Sequence, residues 1–289
     1  MFVYYLHDEK DPQTFEQLAL WFKNRYELVD YQTVEDCVYS RRRAPRKACM
    51  LSVDDGWIST YEVIFPILAK HNIPFTIFVS PEVAKNGGEL WPKKLQYVDH
   101  AKFKEFLVES GYFKPEVMKF PLDLMLKEFT GDMIYKLFRE FGTPEPTEQT
   151  FVNAAQLREM AASGLVEIGA HTLTHPILAN ESAERSLGEI AGSVKGLSEL
   201  IGKPVRTFAY PNGMFSDDFA EREMDFARQA GLQTAFSVDP GYIGRGCNPY
   251  NLPRIGSTSR LKLGRLGALL PSLYNQAGKR RAIHALRQK

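Results

Sequence analysis

Leu51 to Gly56, Leu-Ser-Val-Asp-Asp-Gly, constrains this chain more than any other stretch, because it sets two adjacent carboxylates at the mouth of an apolar run. Lys47 to Val53 has the character of a buried strand, and Gly56 supplies the permissive backbone that ends it. Asp54 and Asp55 then sit on the strand's C-terminal lip. Neighbouring residues at a strand end point in different directions, so one carboxylate can bind a cation while the other faces a water. Standing alone, Asp-Asp-Gly reads more readily as turn chemistry, with an Asp capping a helix that begins near Ser59.

Two later stretches change that reading. His171 and His175, in Gly-Ala-His-Thr-Leu-Thr-His-Pro, follow a second apolar run, Leu165 to Ala170, and lie four apart. One helical turn would carry both imidazoles onto one face. Imidazole plus carboxylate is a ligand set suited to zinc and to other divalent transition metals. Thr207 to Gly213, Thr-Phe-Ala-Tyr-Pro-Asn-Gly, is again a strand running into a turn that could aim a backbone N–H. Its Asn-Gly pair fits a hairpin turn as well.

The order Ser-Val-Asp-Asp-Gly, His-Thr-Leu-Thr-His-Pro, Phe-Ala-Tyr-Pro-Asn-Gly resembles the polysaccharide deacetylases, carbohydrate esterase family four with its NodB-homology domain. Phe75 to Ser80, Ala230-Gly231 and Leu252-Pro253-Arg254-Ile255 extend the resemblance over nearly the whole chain. It implies an irregular (β/α) barrel of about seven parallel strands. It also implies a metal triad of Asp55, His171 and His175, with Asp54 as general base and the Asn212 backbone N–H, after Pro211, as oxyanion donor. Tyr210, Pro211 and Leu252 would lie against the substrate. The metal implied is zinc, with cobalt, nickel or manganese as alternatives, and the substrate is an acylated amino sugar.

Three departures from the family pattern stand out. The position two residues before Pro211, where many relatives carry an Arg that orients the base, is Ala209, and Arg254 is the candidate for that ion pair. Replacing Arg254 by Met is then expected to lower turnover with the fold intact. The late Leu-x-His motif that supplies the general acid is missing after Gly256, so His7, at the end of the first barrel strand, is the replacement, with His284 a weaker one. The Trp of the acetate pocket is missing too, which leaves Leu252 as its wall.

With 289 residues and 44% hydrophobic content, the chain is long enough for one α/β barrel. The N-terminal residues lack a basic region followed by a long apolar segment, and Cys37, Cys49 and Cys247 lack a paired metal spacing. The expectation is a cytoplasmic protein with reduced thiols. The arginines at 41–43 lie beside Pro45 without an aromatic-basic platform, so nucleic acid is not an expected partner. The net charge of +1 hides an asymmetry: no acidic residue follows Asp239, and up to that point 26 basic and 35 acidic residues leave −9. The basic, leucine-bearing tail, residues 260–289, is compatible with peripheral contact with an anionic membrane or with a helix covering the barrel.

Along the chain, strands are expected at Phe2 to Leu6, Tyr26 to Val29, Pro74 to Val79, Val205 to Tyr210, Thr234 to Val238 and Leu252 to Ile255, alternating with helices. A helical insertion is expected over residues 89–142, and Asn153 should open the helix that runs to Ala162. Gly188, Gly192 and Gly196 suggest close packing of the helix Ser182 to Ile201 on a neighbour. One barrel domain spanning 1–289 accounts for this pattern. Its leading activity is metal-dependent removal of N-acetyl groups from a polysaccharide, oligosaccharide or lipid-linked sugar. The alternatives are a deformylase or other amidase on the same site, or a catalytically silent carbohydrate-binding barrel.

Overall fold

The computed structural model describes residues 1–144 and 147–256; the basic tail at 260–289, with His284, lies outside the described residues. Eight strands form one all-parallel sheet: β1 (Phe2–Leu6), β2 (Glu27–Leu28), β3 (Ala48–Val53), β4 (Phe75–Val79), β5 (Val166–Ala170), β6 (Thr207–Ala209), β7 (Thr234–Phe236) and β8 (Ile255–Gly256). The order is β7-β6-β5-β4-β3-β1-β8, with β2 paired to the start of β3. β1, β3 and β4 are buried at every position, as expected of parallel strands covered on both faces.

The sheet curls until its two ends are bridged by one short segment. Leu252 pairs with Phe236 at one end, and two residues beyond Arg254, Gly256 pairs with Tyr5 of β1 at the other. Arg254 stands between these contacts, in the seam, with its backbone N–H donated to the Asp239 carbonyl at 3.1 Å.

The helices follow local signals in the sequence. Asn153 caps Ala154–Ala162 reciprocally with Gln156, and Ser182 caps Ala183–Ile201. Of the three glycines on the latter helix, Gly192 faces Leu173 and Gly196 faces Pro81, whereas Gly188 faces open space. The expected insertion between β4 and β5 is helical, with Gly131–Phe141 as its clearest element. Residues 93–109, expected as one helix, are broken by a short 3₁₀ turn at Leu95–Tyr97 before His100–Glu109 starts on its Asp99 cap. The insertion builds its own apolar cluster around Trp91, Phe103, Leu126 and Phe138, which also takes in Ile177 from the loop after β5.

Two glycines inside the barrel have a packing reason. Gly169 pairs with Phe78 across β4 and β5, and Gly256 pairs with Tyr5 across β1 and β8. Each aromatic ring lies over its glycine, and a Cβ at Gly169 would come within 2.5 Å of the Phe78 ring. Those two rings flank the Arg254 guanidinium at 5.3 and 4.9 Å. Gly169→Ala is therefore expected to push Phe78 off its place and lower stability by about 1–3 kcal/mol. Urea unfolding would measure this, and an unchanged midpoint would show that the ring shifts freely.

Candidate active site

β3 delivers Asp54 and Asp55 to the C-terminal lip, where barrel sites form. Asp55 has φ +71°, so the chain turns sharply and the two carboxylates diverge. Asp54 is 3% exposed and Asp55 6%, so neither is a solvated turn residue.

The Asp54 carboxylate is gripped by Arg254 through two parallel bonds, Nη1 to Oδ1 at 2.7 Å and Nη2 to Oδ2 at 2.9 Å. Bidentate pairing of this kind fixes orientation as well as charge. Arg254 is itself fully buried, donates from Nε to the Ser237 carbonyl at 2.9 Å, and lies between the Tyr5 and Phe78 rings. Burial alone raises the Asp54 carboxyl, but the Arg254 guanidinium more than offsets it and holds the group below its ordinary range.

Asp55 serves the other direction. Its Oδ1 lies 3.4 Å from His171 Nε2 and 3.3 Å from His175 Nε2, while its Oδ2 accepts from Trp57 Nε1 at 3.0 Å. Burial raises the Asp55 carboxyl, and the two imidazoles overcome that and pull it well down. Burial lowers the His175 imidazole below its usual value against the opposing effect of Asp55. Both effects favour an ionised carboxylate and a neutral imidazole, the states in which these groups ligate metals.

The histidines do not share a helical face, as their spacing had suggested. Residues 171–175 form a loop, with positive φ at Thr172 (+63°) and His175 (+60°). Pro176 disfavours helix at the residue before it, and buried bonds hold the loop instead. The Thr172 hydroxyl accepts from the His175 N–H at 3.0 Å. Glu189, on the adjacent helix, accepts from the Leu173 and Thr174 backbone N–H groups and from the Thr174 hydroxyl. Trp91 of the insertion donates from Nε1 to the His175 carbonyl at 2.8 Å. His171 Nδ1 lies 2.7 Å from the Ala209 carbonyl, and a proton on Nδ1 there leaves Nε2 free as a ligand atom toward Asp55. A β-branched residue at positive φ is costly, so this network over-determines the loop.

One ligand atom from each of Asp55, His171 and His175 can be chosen so that all lie within 4.8 Å of one another. Ligands about 2.0–2.1 Å from a tetrahedral ion are about 3.3 Å apart by geometry, close to the two distances from Asp55 to the imidazoles. His175 Nδ1, buried, has no hydrogen-bond partner among the described residues. The donor set fits a divalent ion of zinc size.

The turn after β6 carries Asn212 at φ +61° and Gly213 at φ +70°. It is not the hairpin that Asn-Gly can signal: the chain leaves a parallel strand, and the Gly213 carbonyl accepts from Val238 N–H at 2.8 Å. Gly213 has no room for a Cβ, which would meet the Tyr210 carbonyl oxygen at 2.8 Å. The Asn212 side-chain Nδ2, buried, has no acceptor among the described residues.

Three expected substrate contacts lie elsewhere. Tyr210 is 1% exposed, stacks on Phe219 at 3.7 Å and donates its hydroxyl to the Tyr250 carbonyl at 3.0 Å, so it supports the turn from beneath. Leu252 is fully buried among Phe78, Ala209 and Phe236 and belongs to the core rather than to a pocket wall. Pro211 is buried and gives its carbonyl to Gly213 N–H. His7 stands exposed on the rim beside Tyr5, and its imidazolium makes a minor contribution to lowering both Asp54 and Asp55. Trp57, Trp91 and Glu189 were not singled out from the sequence; the bulky Trp57 directly after Asp-Asp-Gly was the one available signal.

A parallel curled sheet with paired carboxylates and two histidines on its lip defines a carbohydrate-esterase type of site. The sequence profile of the polysaccharide deacetylases matches residues 41–235, more than half of the chain, and the chain belongs to this family. It is 21% identical over 263 residues to the poly-beta-1,6-N-acetyl-D-glucosamine N-deacetylase of Staphylococcus aureus, covering 88% of this chain and 72% of that protein. It is 20% identical to the putative polysaccharide deacetylase YxkH of Bacillus subtilis, over 90% of this chain and 69% of that one. Its fold is similar to that of IcaB from Ammonifex degensii, with TM-score 0.62, 19% identity and coverage of 98% and 96% of the two chains. The Streptococcus pyogenes deacetylase PplD superposes with TM-score 0.59, 16% identity and coverage of 89% and 91%.

Proposed function

We propose that this protein is a metal-dependent N-deacetylase acting on an N-acetylated amino sugar within a polysaccharide or oligosaccharide. The observation that carries the reading is the division between two adjacent buried carboxylates, Asp54 held by Arg254 and Asp55 facing two imidazoles. Asp55, His171 and His175 would hold the ion, zinc by preference, with cobalt, nickel or manganese able to replace it. Once bound, such an ion supplies Lewis-acid polarisation of the amide carbonyl and a water acidic enough to deprotonate near neutrality.

Asp54 accepts the proton from the attacking water, and Arg254 keeps it ionised and aimed. The Asn212 N–H donates to the carbonyl oxygen as negative charge develops there. The tetrahedral species then expels the amine, which needs a proton, and His7 on the rim is the group placed to give it. The polymer named in the S. aureus relative, beta-1,6-linked N-acetylglucosamine, is the first substrate to try.

The test is acetate and formate release from a panel of acylated sugars that includes this polymer, with and without zinc, cobalt, nickel or manganese. Metal-stimulated acetate release supports the reading; formate release alone would make the protein a deformylase, and neither would overturn the enzyme reading. His175→Ala is expected to lower bound metal from about one ion per chain to near zero, by elemental mass spectrometry. Stoichiometric metal in that variant would remove the triad.

A further inference from the structure

Beside the candidate active site lies a second cleft of about 400 Å³, lined by Asp8, Trp57, Lys93, Tyr97, Glu148 and Thr150 among others. That volume is within the range of small-molecule sites. The two sites share a wall: Trp57 donates its indole N–H to Asp55 at 3.0 Å, and the same side chain lines the cleft. The far wall is stitched to the catalytic lip as well. Ile58 N–H donates to the Thr150 carbonyl and Val152 N–H to the Gly56 carbonyl, both at 2.8 Å. A ligand in this cleft would therefore be held in fixed register with the reacting centre.

The lining chemistry narrows what that ligand is. Two acidic groups, Asp8 and Glu148, are matched by two basic ones, Lys10 and Lys93, so no net charge draws in a phosphate or a polycation. The Lys93 ammonium stands 5.7 Å from the Trp57 ring and 5.0 Å from the Tyr97 ring, held by Gln96 Oε1 at 3.1 Å. Tyr97 and Thr150 both donate their hydroxyls to Glu89 Oε1, at 2.6 and 3.1 Å. Glu89 is 8% exposed and its second oxygen, Oε2, has no hydrogen-bond partner among the described residues. Aromatic rings with an apolar face, one ammonium donor and carboxylate acceptors are the set that matches a neutral ring carrying many hydroxyls.

We infer that this cleft binds the pyranose unit next to the one being deacetylated, and that Tyr97 and Lys93 set a preference for oligomeric over single-sugar substrates. This rests on the sugar-deacetylase reading above. The helical insertion contributes both residues, so it serves as a recognition element as well as a support for the His175 loop.

The experiment compares the wild type with the double variant Tyr97→Ala, Lys93→Ala on N-acetylglucosamine and on its beta-1,6-linked tetramer, in the zinc-loaded full chain. Both residues are partly or largely exposed, so folding should be unaffected. The expected result is a roughly tenfold or greater fall in kcat/KM on the tetramer, carried by KM, with the monosaccharide rate unchanged. Equal loss on both sugars, or no loss on the tetramer, overturns the inference. Calorimetric binding of the tetramer to Asp54→Asn protein, with and without the double substitution, provides a readout free of turnover. Binding that depends on Tyr97 and Lys93 keeps the subsite even where no acetate is released, and then the deacetylase reading alone fails. Absent binding, or binding indifferent to the two residues, removes the subsite.

Discussion

Asp54→Asn is expected to lower kcat by roughly 10²–10⁴-fold, the range a positioned general base contributes, while bound metal stays at the wild-type level. The carboxamide keeps the shape of Asp54 and can still accept from Arg254, but it cannot take the proton from water. Metal is retained because the triad uses Asp55 and the two imidazoles, whose atoms lie apart from the Arg254 pair. The measurement is turnover and metal content in one preparation. Wild-type-like turnover would exclude Asp54 as the base, and loss of metal would show that the two carboxylates are not divided in role.

Arg254→Met is expected to affect both fold and rate, which corrects the reading that it would leave the fold intact. A surface arginine would have allowed that, but Arg254 is fully buried and carries the only printed ion pair of Asp54. Removing one partner of a buried pair leaves an uncompensated charge and costs about 3–5 kcal/mol. The pH dependence follows from signs. In the wild type the folded value of Asp54 lies below the unfolded one, so its stabilisation is present above the ordinary carboxylate range and is lost as pH falls through the depressed folded value.

Without the guanidinium, burial dominates and the folded value rises above the unfolded one. The variant then loses stability as pH rises above about 4. The gap between the two proteins should be largest at neutral pH and narrow at acidic pH, as read from urea midpoints. The acidic limb of kcat/KM should move upward in the variant. Parallel midpoints at all pH values would show that Arg254 does not govern the charge of Asp54.

The candidate site was legible where its chemistry is contiguous in the chain. Asp54 and Asp55 follow a β-branched run and precede a glycine, and strand periodicity alone puts them on a barrel lip. His171 and His175 follow a second run in the same way, and their residue types name the ligand chemistry before any distance is known. The strand-helix alternation likewise implied a parallel curled sheet, because parallel strands need crossovers.

The tertiary structure decided everything that depends on which strand lies beside which. Arg254 is 200 residues from Asp54 in the chain, and only closure of the sheet by Leu252 to Gly256 sets the two face to face. The same closure buries Leu252 in the core and leaves it no pocket to line. The histidine loop was misjudged as a helical turn because spacing carries no information about the positive φ at Thr172 and His175. Those angles are held by Glu189 and Trp91, from a different helix and from the insertion. Local propensity determines what each segment can become on its own, whereas burial, charge pairing and strained turns are properties of neighbours that the fold alone assembles.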